Sequence, residues 1–247
     1  MRIRVFATPD TLARALARHL ARCVASRPRL VLGLPTGRTP IPLYRELARL
    51  TASGLADFSR ATTFNLDEFV GVTAGDPRSY HAFMRQHLFA RVAFARTHVP
   101  NGAAADLARE CARYEQAIAR AGGIDLQILG LGANGHIGFN EPAPALEART
   151  HRTRLRPATR RANAFLFGGR ASAVPREALS MGMATILHAR RVILIATGGA
   201  KARRVDRMIN GAVTPWLPAS FLQLHRHAEV WLDRAAAVRL KPDTTRR

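Results

Sequence analysis

Lysine is almost absent from this chain. Of the 38 basic residues among 247, two are lysine, Lys201 and Lys241, and 36 are arginine. The formal net charge is +21, and a cationic footprint of that size invites a nucleic-acid reading, because clustered cations track phosphate backbones. Phosphate-tracking surfaces mix the two cations, however, and near-total replacement of lysine by arginine is the mark of a composition bias. The surplus is uneven: residues 1–146 carry 18 basic and 11 acidic side chains (+7), and residues 147–247 carry 20 and 6 (+14). No nucleic-acid partner is expected.

Cysteine is scarce too. Cys23 and Cys111 cannot build a disulfide framework and lack metal-ligand spacing, so a reducing, cytoplasmic location and no metal are expected. No apolar run approaches the roughly 20 residues of a membrane helix. Arg14, Arg18 and Arg22 interrupt every apolar stretch that could serve as a signal-peptide core, and no membrane partner is expected. With 47% apolar and 22% charged residues the chain has the make-up of a globular protein, which excludes fibrous and wholly disordered classes.

Short β-rich runs alternate with longer helical patterns. Strands are predicted at Ile3–Phe6, Leu30–Leu34, Thr62–Asn65, Leu126–Leu131, Val192–Thr197 and Ala228–Leu232. Several are continuous apolar runs, as suits strands buried on both faces. Helices are predicted at Thr11–Ala25 with Asp10 as cap, Pro40–Leu50, Ser79–Leu88, Ala104–Ala121, Lys201–Ile209 and Ala219–Leu224. The alternation predicts one α/β domain over residues 1–235, a Rossmann-like, mostly parallel sheet in a three-layer αβα arrangement. The Arg-rich segment 149–191 is less periodic and reads as an insertion or lid over the sheet. Residues 236–247 read as a basic, disordered tail.

In open α/β sheets ligands bind at the carboxyl ends of the strands, and the chemically loaded segments fall there. Leu30–Pro40 (LVLGLPTGRTP) runs from a strand through a Gly/Thr loop into a helix. Exposed backbone N–H groups, a helix start and the hydroxyls of Thr36 and Thr39, with Gly37 and Arg38 between them, make an anion cradle. The same residues also suit a plain tight turn. A nucleotide-hydrolysing P-loop is not expected, because Gly33 and Gly37 are one residue too close and Arg38 stands where lysine belongs. After the third strand come Asp67 and Glu68. Enclosure would raise a carboxyl there toward working pH and make it a general base; a helix cap or an arginine ion pair are the competing readings. After the fourth strand, Gly130–Pro142 (GLGANGHIGFNEP) allows close backbone approach and sets His136 five residues from Glu141. A carboxylate on one imidazole nitrogen fixes the tautomer and raises the basicity of the other. Lys201 closes the Gly loop after the strand ending near Thr197, where it can donate to a phosphate.

Together these segments resemble the glucosamine-6-phosphate deaminase family, within the superfamily of glucosamine/galactosamine-6-phosphate isomerases and 6-phosphogluconolactonases. The matching stretches are the Leu32–Gly37 loop, Asn65–Glu68, Ser79–His81, Gly130–Pro142, Thr159–Asn163, Val174–Leu187, Thr197–Lys201 and Leu222–His225. The lactonase branch follows the long loop only as far as Gly135-His136 and lacks the following Phe139-Asn140-Glu141-Pro142. The resemblance implies an aldose–ketose isomerase/deaminase without a cofactor. It would convert glucosamine 6-phosphate and water to fructose 6-phosphate and ammonia in N-acetylglucosamine and amino-sugar catabolism. It implies that Asp67 shuttles a proton at C2 and C1, that His136 opens the sugar ring oriented by Glu141, and that Thr36, Gly37, Thr39 and Lys201 hold the phosphate.

Three departures stand out. Asn134 occupies a position, two before the histidine, where relatives often carry Asp. Phe165 stands where the family pattern gives a phosphate-reaching Arg, with Arg38, Arg160 and Arg161 as candidate substitutes; Arg38 itself stands where Gly is usual. His151 and Thr153 replace basic residues of an allosteric site, so weak allostery or none is expected. The partner implied is a small-molecule sugar phosphate, and a homo-oligomer stays open. The alternatives are a deaminase of another hexosamine phosphate, a lactone hydrolase and a non-catalytic sugar-phosphate sensor. Retention of Asp67, His136 and Glu141 speaks against the sensor.

Overall fold

The computed structural model describes residues 1–240. Its strands are β1 (Arg2–Phe6), β2 (Val31–Leu34), β3 (Thr62–Asn65), β4 (Asp67–Phe69), β5 (Arg96–His98), β6 (Leu126–Gly130), β7 (His151–Arg154), β8 (Glu177–Ser180), β9 (Arg191–Ala196) and β10 (Ala228–Asp233). Its α-helices are α1 (Pro9–Ser26), α2 (Ile41–Ala52), α3 (Tyr80–Met84), α4 (Leu107–Arg120), α5 (Pro157–Asn163), α6 (Met183–Leu187), α7 (Ala202–Asn210) and α8 (Arg234–Ala237). Seven strands pair in parallel in the order β1-β10-β9-β6-β2-β3-β5. A small antiparallel sheet, β4-β8-β7, stands beside it.

Alternation along each strand builds the layers. On β9, Ile193 and Ile195 face one core with Leu12, Leu16 and Leu20 of α1 and Leu43, Tyr44 and Leu47 of α2. Val192, Leu194 and Ala196 face the other, with Tyr114 and Ile118 of α4 and Val205 and Met208 of α7. Both faces are covered, so a central strand such as β9 reads from Val192 to Ala196 as an unbroken apolar run, and each fully buried Leu or Ile stabilises the fold by roughly 1.5–3 kcal/mol. This is the expected three-layer, mostly parallel arrangement.

The local differences have physical causes. Helix α1 starts earlier than expected: Thr8 rather than Asp10 is the cap, accepting from the Thr11 N–H at 3.2 Å while Thr11 Oγ1 accepts from the Thr8 N–H at 2.9 Å, and Pro9 suits the first helical position. The expected helix over 79–88 breaks after Met84 into a π turn over Arg85–Phe89. Residues 219–224 form a 3-10 helix begun by Pro218. The segment 149–191 is no loose insertion. It supplies β7, α5, β8 and α6, and β8 pairs with β4. At the far end, α8 buries Ala236 beyond the expected boundary at 235, and residues 241–247 of the expected tail lie outside the described residues.

From β2 the chain steps to β3 and β5 on one side, while β6, β9 and β10 continue on the other. The reversal between β2 and β6 opens a crevice at the carboxyl ends of the strands, where α/β sheets bind ligands.

Candidate active site

The crevice holds a cavity of about 330 Å³. Four loops line it: Pro35–Thr39 after β2, Leu66 and Asp67 after β3, Gly130–Phe139 after β6, and Thr197 and Lys201 after β9. Tyr80 of α3, Asn163 of α5 and Phe165 just beyond it complete the wall.

The β2 loop is pinned from below. The Tyr44 hydroxyl of α2 donates to the Pro35 carbonyl, and the Asn65 amide donates to the Leu34 carbonyl at 3.1 Å. Gly37 then turns at φ +92°, a conformation that side chains rarely adopt, and would meet nothing if it carried a Cβ. The turn, not crowding, calls for glycine here. Across the cavity Gly198 turns at φ +87° and its N–H is held by both oxygens of buried Asp233, at 3.0 and 3.1 Å. That clasp sets the start of the segment bearing Lys201. Burial, then the charge of Arg38, lowers the Lys201 ammonium from its ordinary value. Among the described residues neither Arg38 nor Lys201 is paired with a carboxylate. The cradle is cationic and unneutralised.

Asp67 and Glu68 are separated by their partners. The Glu68 carboxylate is 2% exposed and accepts the N–H groups of Phe69 and Tyr80 at 2.9 Å and of His81 at 3.0 Å. Burial nevertheless outweighs those three bonds and raises it to about 7. Glu68 is thus the anchor of α3, the bland reading of the pair. Asp67, paired through its backbone with Ser180 of β8, is 5% exposed and its Oδ1 is buried with no hydrogen-bond partner among the described residues. Burial, then the charge of Glu68, pushes its carboxyl well above the usual range. A carboxyl so raised holds a proton more tightly than a solvated one and suits general-base work.

The Gly130–Pro142 loop folds back on itself so that His136 and Glu141 meet. His136 Nδ1 lies 3.6 Å from Glu141 Oε2 and 3.4 Å from the Thr159 hydroxyl. Asn134 donates to the same Oε2 at 2.7 Å and accepts the His136 backbone N–H at 3.2 Å. Arg156 donates its backbone N–H to Oε1 at 3.2 Å. Burial pushes the Glu141 carboxyl up, but the bonds and charge of His136, with Thr159 and Asn134, pull it down to about 2. The other edge of the imidazole lies against Gly132, where a Cβ would come 2.3 Å from the ring.

The structure therefore brings Thr36, Gly37, Arg38, Thr39, Asp67, His136 and Lys201 to one cavity wall, with Glu141 and Asn134 joined to His136 on its own loop rather than lining the wall. Of the candidate substitutes for an arginine at 165, Arg160 is occupied elsewhere, bonded to the carbonyls of Val174 at 3.0 Å and Ser172 at 2.9 Å, and exposed Arg161 is absent from the cavity wall. Local sequence reasoning missed Tyr80, Asn163, Thr159 and Asp233. The Tyr80 hydroxyl donates to Asn163 Oδ1 at 2.9 Å, a contact between residues 83 apart that no local pattern signals.

The profile of the family described as glucosamine-6-phosphate isomerases/6-phosphogluconolactonase matches residues 7–231. A glucosamine-6-phosphate deaminase of Clostridium botulinum is 44% identical over 242 residues, 97% of this chain and 99% of the relative. One of Rhodopirellula baltica is 49% identical over 230 residues, 92% and 91% of the two chains. A solved structure, described as a monomeric glucosamine-6-phosphate deaminase, superposes with a TM-score of 0.93 at 41% identity, covering 96% of this chain and 99% of the other.

Proposed function

The chain belongs to the family of glucosamine-6-phosphate isomerases and 6-phosphogluconolactonases, and from that premise we propose that it deaminates glucosamine 6-phosphate. The reaction consumes water and yields fructose 6-phosphate and ammonia. One observation carries the reading: Asp67, whose buried Oδ1 has no hydrogen-bond partner among the described residues, lines one cavity with a cationic cradle and with the imidazole of the His136–Glu141 pair.

The cradle of Thr36, Gly37, Thr39, Arg38 and Lys201 holds the phosphate, and its backbone and hydroxyl donors orient it. His136 then moves the proton that opens the sugar ring. Glu141, kept anionic, faces Nδ1 and leaves the other imidazole nitrogen free to act. Asp67 removes the proton from C2 of the open aldehyde and returns it at C1. That step turns the carbon bearing the amine into an imine. Water adds there, ammonia leaves, and the ketone remains. Such general acid–base steps contribute about 10²–10⁴-fold each.

The superposing relative is described as monomeric, which supports a monomeric enzyme. Two free thiols, Cys23 and Cys111, suit the reducing interior where sugar phosphates are made. The test is a panel of hexosamine 6-phosphates and 6-phosphogluconolactone, scored for ammonia and for acid. Ammonia from glucosamine 6-phosphate supports the reading. Acid from the lactone without ammonia overturns it.

A further inference from the structure

Phe165 is a large apolar side chain left 42% exposed at the wall of the cavity. Its neighbours show that this is no frayed segment. Ala164 and Phe167 on the same 3-10 turn are buried, and Phe167 packs edge-on against Phe69 with ring centroids 5.3 Å apart. The turn is fixed inward at 164 and 167, so 165 is aimed outward. There the Arg38 guanidinium lies over the Phe165 ring, 5.4 Å from its centroid. Arg38 sits beside Gly37, whose positive φ leaves the loop open to a ligand. Without the ring, a long exposed arginine on that turn would sample many rotamers.

We propose that Phe165 is a positioning residue that holds Arg38 over the cradle, so that Arg38 and Lys201 close on the phosphate from two sides. The inference rests on the sugar-phosphate reading of the site and adds to it the device that orders one of its two cations. A planar guanidinium stacked by one face still offers its edge N–H groups to phosphate oxygens. The aromatic thus lowers the ordering cost of binding rather than touching the phosphate.

The experiment is calorimetric titration of inorganic phosphate into the protein and its Phe165→Leu, Phe165→Tyr, Arg38→Ala and double Phe165→Leu/Arg38→Ala variants. Leucine keeps the apolar bulk and removes the π face. Phe165→Leu is expected to weaken phosphate by ~3–10-fold, Arg38→Ala by at least as much, the double variant no more than Arg38→Ala alone, and Phe165→Tyr not at all. With glucosamine 6-phosphate the Phe165→Leu loss falls on KM rather than kcat. Wild-type phosphate affinity in Phe165→Leu, or losses that multiply in the double variant, would overturn the proposal. Phosphate binding is read without turnover. Failure of the deaminase reading would show separately, as missing ammonia with the phosphate pattern intact.

Discussion

Asn134 Nδ2 donates to Glu141 Oε2 at 2.7 Å, the same oxygen that faces His136 Nδ1 at 3.6 Å. The amide and the imidazole share that oxygen, while the Arg156 backbone N–H holds Oε1 at 3.2 Å. Asn134→Leu removes that donor and the acceptor of the His136 backbone N–H. Loss of a hydrogen bond to a charged group costs about 1.5–3 kcal/mol, so kcat is expected to fall roughly 10–100-fold. Asn134→Asp keeps the acceptor but sets two carboxyls within bonding distance, which raises one of them. Its acid limb is expected to move to higher pH. A pH profile of kcat/KM identical to wild type would show that Asn134 does not act through Glu141.

Gly132 lies against the His136 imidazole. Gly132→Ala would put a methyl group 2.3 Å from the His136 ring, so the ring must leave its place against Glu141. The variant is expected to keep its fold and its affinity for inorganic phosphate while kcat drops by about 10²-fold or more, since misplacement by ~1 Å is that costly. An unchanged kcat would mean that the ring has room to spare.

Lys201 is a lysine in a chain that writes nearly every cation as arginine. Lys201→Ala is expected to raise KM for the sugar phosphate about 10–100-fold, the worth of one charge-assisted bond. Lys201→Arg restores the charge but sets a broad, planar group beside Arg38, and is expected to recover only part of the loss. Full recovery would show that the position needs charge alone.

The fold and much of the site were legible because their signals are local. Short β-rich runs, several of them continuously apolar, marked six of the seven parallel strands, and glycine-rich stretches after them marked the cradle and the His136 loop. The seventh, Arg96–His98, lies at the sheet edge with Arg96 and Thr97 exposed, so no apolar run marks it. β4 and β7, with the sequences DEF and HRTR, carry charged side chains and no apolar run to mark them. The respective duties of Asp67 and Glu68 were not legible either. Which carboxyl is satisfied depends on the backbone of α3 arriving twelve residues later to bind Glu68. Likewise, nothing near Phe165 in the chain indicates that Arg38 will lie over it.

Asp67 and Glu68 also set the pH dependence of stability. Both carboxyls are raised in the fold, Glu68 from 4.5 to about 7. Ionising them costs more in the folded chain than in the unfolded one. For Glu68, stability present below pH about 4.5 is therefore lost as pH rises through about 7, and Asp67 adds a loss in the same direction. Asp67→Asn removes a buried charge that has no partner, and is expected to raise Tm at pH 8 by a few degrees, at ~2–4 °C per kcal/mol, with a smaller gain at pH 5. Thermal melts across pH 4.5–8 read both. A wild-type Tm that rises steadily over that range would contradict the assignment.

The central claim is that Asp67 moves the proton that leads to loss of the amine. The direct measurement is ammonia release from saturating glucosamine 6-phosphate by the wild type and by Asp67→Asn. Wild type is expected to release one ammonia per fructose 6-phosphate formed. The variant is expected to bind inorganic phosphate normally while its kcat falls by about 10²–10⁴-fold. Ammonia release by Asp67→Asn at the wild-type rate, or none from the wild type, would contradict the account.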